Sequence, residues 1–84
     1  MMRLAGIELT DESLLALVVR LRRADLDNQA DRFVHALMSM QTEVTLTDPD
    51  RVAILTVLDD PPDGLAELRG ALLQEHARKR HSVV

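Results

Sequence analysis

Cysteine is absent from this 84-residue chain. That excludes disulfides, thiolate metal sites and a cysteine nucleophile. Tryptophan and tyrosine are absent as well, and Phe33 is the only aromatic residue. Stacking on single-stranded bases therefore has no platform, and the core has to be aliphatic. Such cores fill space but specify geometry weakly. No apolar run approaches the ~18 residues of a membrane span; the longest block, Leu14 to Leu21, is broken by Arg20. Met1-Met2-Arg3 leads directly into Glu8, Asp11 and Glu12, which is not the h-region of a secretory leader. There is no Gly-rich phosphate loop, and Ser13, Ser39 and Ser82 do not sit in a nucleophile elbow. Base is in short supply too: the net charge of −4 counts against nucleic-acid binding, which needs phosphate neutralisation.

What is present is aliphatic and charged. Hydrophobic residues make up 46% of the chain, too rich for a disordered segment. The length suits one domain, residues 1–84, with a small core. A small aliphatic core invites self-association, which adds buried area that the monomer lacks. These features together lead us to expect a cytoplasmic protein with no membrane contact.

One phrase occurs twice. Ile7-Glu8-Leu9-Thr10-Asp11 and Val44-Thr45-Leu46-Thr47-Asp48 each precede an aliphatic run at helical spacing. A shift of thirty-seven positions carries Leu9, Thr10, Asp11, Ala16, Leu21 and Arg32 onto Leu46, Thr47, Asp48, Ala53, Leu58 and Arg69. Two units are too few for a solenoid. They predict an all-α fold, a compact four-helix arrangement of two helical hairpins at about 10–41 and 47–80. The arms before each unit, residues 6–9 and 43–46, read either as a very short two-stranded ribbon or as hydrophobic staples for the helices they precede.

The helix signals are local. Thr10 or Asp11 starts helix one, whose apolar face is Leu14, Leu15, Leu17, Val18 and Leu21. Asp25-Leu26-Asp27-Asn28 reads as a turn, and Leu26, Ala30, Phe33, Val34, Leu37 and Met38 then follow at three-and-four spacing. Asp48-Pro49 opens helix three, which is apolar nearly all round and so reads as a central or interface element. Asp59-Asp60-Pro61-Pro62-Asp63-Gly64 stops it. Helix four carries a Leu65, Leu68, Leu72, His76 stripe and ends in Arg78-Lys79-Arg80-His81, with a fraying tail. Gly70, with Ala66 one turn earlier, marks a place for close helix approach.

Candidate chemistry is sparse. His35 falls on the polar face of helix two, His76 on the apolar stripe, and His81 in the basic tail. His76 and His81 are five apart, whereas a helical zinc pair wants about four and a third ligand. The Asp25-Asp27-Asp31 and Asp59-Asp60-Asp63 clusters lack calcium-loop spacing and read as caps and turns. Arg20, Arg22 and Arg23, like Arg78, Lys79 and Arg80, end helices, where cations complement the dipole. No catalytic, metal or cofactor residues emerge, and an enzyme is not expected.

The run from Val44 to Asp48, Arg51 to Leu55, Leu58 to Gly70 and Leu72 to His76 resembles the tail of short, uncharacterised helical proteins of high-GC bacteria. Leu58-Asp59-Asp60-Pro61-Pro62 followed by a Leu-rich helix to Leu73 is also similar to the toxin-binding segment of antitoxins that neutralise acetyltransferase toxins. That second likeness implies an N-terminal ribbon-helix-helix dimer on operator DNA; in this chain the arm Leu4 to Leu9 carries Gly6 and Glu8, with Arg3 as its basic reader. The expectation is a small non-enzymatic protein-interaction module, binding itself as a homodimer or a cognate protein. Leu65, Leu68, Arg69, Leu72 and His76 are its candidate contact residues. An antitoxin-type regulator binding a toxin and DNA is the alternative.

Overall fold

The computed structural model describes residues 1–82, with side chains through Arg78. Four helices form: α1 (Asp11–Arg23), α2 (Asp27–Met38), α3 (Asp48–Val57) and α4 (Asp63–Ser82). Thr10 and Thr47, equivalent under the thirty-seven-residue shift, both serve as N-caps. The Thr10 hydroxyl accepts from Ser13 N–H at 3.1 Å, and that of Thr47 accepts from Asp50 N–H at 3.3 Å. At α3 the cap is a full capping box, because the Asp50 carboxylate accepts from Thr47 N–H in return.

The all-α expectation is corrected by a three-stranded mixed sheet. Strands β1 (Met2–Leu4) and β2 (Ile7–Leu9) form an antiparallel hairpin, and β3 (Glu43–Val44) pairs parallel to β1. The order is β2-β1-β3. Residues 7–9 and 43–44 therefore lie at opposite edges of one sheet, with β1 between them, and do not pair as a ribbon. The hairpin turn is Ala5-Gly6, both at positive φ (51° and 80°). A two-residue turn of that hand matches strand twist. The sheet persists because one face is apolar: Met2, Leu4, Leu9 and Val44 are buried in the common core. Arg3, Glu8 and Glu43 project on the other face, where Arg3 and Glu8 pair at 3.1 Å.

Helix α1 packs chiefly on α2 and also touches α3, α4 and β2, while α4 lies against α3 and β2. Leu14, Leu17, Leu21, Phe33, Ile54, Leu58, Leu65, Leu68 and Leu72 are all completely enclosed. Close approach occurs at Gly64, not at Gly70. A Cβ on Gly64 would collide with Ser13 Oγ, whereas nothing lies near Gly70. Among the described residues no helix is long and apolar enough to cross a membrane.

Two helices end in Schellman motifs built without glycine. After α1, Asp25 N–H bonds Arg22 O and Leu26 N–H bonds Leu21 O. After α2, Met40 N–H bonds Leu37 O and Gln41 N–H bonds Ala36 O. The left-handed residues are Asp25 (φ 60°) and Met40 (φ 58°). Glycine is the usual occupant, since it has no Cβ to clash. Met40 is 87% exposed and contributes little packing. Met40→Gly should therefore raise stability by about 0.5–1 kcal/mol despite the entropy it adds to the unfolded chain. Urea denaturation reads this as a higher midpoint with unchanged slope.

Candidate functional site

An open apolar groove of about 570 Å³ runs between the α1–α2 turn and α3. Ala24, Leu26 and Gln29 form one wall. Asp48, Pro49, Val52, Ala53 and Thr56 form the other. Asp48, Val52 and Thr56 recur every four residues, so they share one face of α3 over roughly 12 Å. That face shows what became of a helix expected to be a central or interface element. Ala53, Ile54 and Leu58 go into the core, while Val52 is left 55% exposed over the groove. Thr56 donates its hydroxyl to Val52 O at 2.7 Å, so its polar group is satisfied within the helix.

The α3 wall is anchored at both ends. At the N-terminus Asp50, only 2% exposed, accepts from the Arg32 guanidinium of α2. Arg32 also reaches Thr45 O at 3.3 Å. Arg51 donates to Leu46 O at 2.7 Å and pairs with Asp48 at 3.1 Å and with Glu75 of α4 at 3.5 Å. At the C-terminus Arg20 donates to Val57 O and Asp60 O, both at 3.1 Å. The opposite wall is held by Arg22, which pairs with Asp27 at 3.7 Å and Asp31 at 2.8 Å. Burial alone would push the Asp50 carboxyl up. The Thr47 backbone N–H, the Arg32 guanidinium and the Thr47 hydroxyl outweigh it, so the carboxyl sits below the usual carboxylate range. Asp50 belongs to a satisfied structural lock: among the described residues no buried side-chain polar atom lacks a partner.

The residues singled out in the sequence separate into two groups. Leu65, Leu68 and Leu72 are fully buried and pack into the protein's own core. Arg69 is half-buried and His76 is exposed, so the structure does not unite the five into one surface. His35 is exposed on α2. The side chains of Lys79, Arg80 and His81, and the tail after Ser82, lie outside the described residues. No group of three or more His, Asp or Glu that could hold a metal ion occurs among the described residues. The groove was missed because its two walls are about twenty-five residues apart in sequence, and periodicity reports a face, not what stands opposite it. A signal was present in the aliphatic surplus of residues 52–58, which exceeds what one buried stripe of a short helix uses.

Comparisons with protein-family models, with curated proteins and with solved structures find no match for this chain.

Proposed function

We propose that this protein is a small non-enzymatic interaction module, and that its docking surface is the groove between the α1–α2 turn and α3. One observation carries the reading. Val52 stands 55% exposed over an apolar trough whose walls are locked by arginine contacts at both ends. Exposed apolar concavities rimmed by polar residues mark binding surfaces. A trough about two helical turns long, walled by α3 on one side and the α1–α2 turn on the other, suits the apolar face of an amphipathic helix. Asp48 on the lining, and Asp25 and Asp27 on either side of Leu26, favour a helix with basic flanks. The antitoxin-type alternative gains no particular support, since Arg3, its one basic reader, is paired with Glu8.

The test is a titration of the isotopically labelled chain with a synthetic amphipathic helix of leucine and lysine, followed by NMR. Amide shifts should cluster at Ala24, Leu26, Val52 and Thr56, and Val52→Lys should weaken binding tenfold or more. Shifts spread over the whole surface, or none at millimolar peptide, would remove this reading.

A further inference from the structure

We propose that the groove is filled by a second copy of this chain, and that the segment entering it is the C-terminal end of the copy's α4, led by the exposed face that carries Leu73 and Ala77. The inference rests on the groove being a helix-docking surface, and it names the occupant.

The first argument is length. Helix α4 runs from Asp63 to Ser82, and Leu72 is its last fully buried residue among the described side chains. Beyond Glu75, which still pairs with Arg51 of its own α3, the helix continues to Ser82 for about 10 Å. The groove face of α3, from Asp48 to Thr56, is about 12 Å long. Helix end and trough match within one helical turn. Because α4 is a single unbroken helix, its end cannot turn back into the groove of its own chain.

The second argument is the surface the helix end presents. Leu73 is 41% exposed, and Ala77 is exposed four residues further on. This spacing puts both on one face of the helix. They form a short apolar row beside Arg78, which is the pattern that the trough accepts.

The third argument is charge. All fourteen acidic residues lie at or before Glu75, whereas three of the ten basic residues, Arg78, Lys79 and Arg80, follow it. The groove rim belongs to the acidic part. Asp48 pairs with Arg51 and Asp27 with Arg22, yet their side chains remain 71% and 62% exposed. A basic helix end and an acidic rim on the same molecule are complementary between copies and steer them together. One helix end in one groove is a small contact. Two-fold symmetry exchanges both ends at once and doubles the buried area toward the ~1,200 Å² of a stable interface.

The experiment uses the full chain and two variants at exposed positions, Val52→Lys in the groove and Leu73→Asp on the helix end. Circular dichroism confirms that each is folded, and native mass spectrometry with sedimentation equilibrium reads the assembly. The unaltered chain should dimerise, and each variant alone should self-associate at least tenfold more weakly. An equimolar mixture of the two should form a one-to-one heterodimer more tightly than either variant self-associates, though more weakly than the unaltered chain, because at one of its two contacts the intact helix end of the first meets the intact groove of the second. A mixture that associates no more tightly than either variant alone, a Leu73→Asp chain that dimerises like the unaltered one, or an unaltered chain that is monomeric throughout would overturn the proposal. If the leucine–lysine helix still shifts the groove amides in those cases, the docking surface stands and only this occupant is wrong. If it does not, the docking surface falls as well.

Discussion

Phe33→Ala should lower the unfolding free energy by about 3–5 kcal/mol, the largest effect of any single truncation in this chain. Phe33 is its only aromatic residue and is completely buried. Its companions in the buried cluster are leucines, valines, alanines, Ile54 and Met2, and none supplies a second ring to close the gap. The loss therefore includes the transfer term and a cavity that the locked helices cannot collapse. A chain this short has a stability of about 5–10 kcal/mol, so the variant falls close to the folding threshold. Its thermal midpoint should drop by about 15–30 °C. Calorimetry checks this; a fall of only a few degrees would show that α2 is not seated as described. Val52→Lys provides the contrast. At 55% exposure it should change stability by less than ~0.5 kcal/mol, which is why it can report on docking without reporting on folding.

Asp50→Asn should cost about 1.5–3 kcal/mol at neutral pH, and the cost should fade in acid. The carboxylate is a buried acceptor for a charged donor and for a backbone N–H, bonds of the stronger kind. The upper figure is tempered because the Arg32 side chain is 44% exposed and partly screened by water. The sign follows from the direction of the shift. The folded carboxyl is held below its ordinary value, so the native state favours the ionised form more than the unfolded chain does. That contribution is complete above the unfolded carboxyl pKa of about 3.9 and is lost as pH falls through the lower, folded value. Urea midpoints of the two proteins should differ most above pH 5 and converge toward pH 2. A gap independent of pH would mean that the capping geometry, not the charge, is what Asp50 supplies.

The helices were legible because their signals are local. Thr10 and Thr47 cap, Pro49 and Pro61-Pro62 punctuate, and apolar residues recur at three-and-four spacing. Each of these acts within one or two turns of chain. The sheet was not legible. Strand β1 is three residues long, and its hairpin uses Ala5-Gly6, where Asn-Gly or Asp-Gly would have announced a turn. Ala5 adopts a positive φ only because the strands on either side of it pair. Glycine misled in the same way. Gly70 stood out in mid-helix but faces open space, while Gly64, lost among the prolines, is where α4 meets Ser13.

The leucine stripe of α4 shows the boundary between the two levels most clearly. Leu65, Leu68 and Leu72 had to lie on one side of a helix, because their spacing leaves no other arrangement. Whether that side faced a partner or the protein's own interior depended on what α1, α3 and β2 brought opposite it, and they enclosed it completely. Exposed apolar surface came to rest elsewhere, at Val52 of α3, at Leu15 and Val19 of α1 and at Met38 of α2 among other places. Capping and helix boundaries are set by neighbours along the chain, whereas Leu15 and Met38, assigned to apolar faces by spacing, end up exposed. Which face remains open is set by long-range packing, where small differences in fit among many aliphatic side chains select one arrangement.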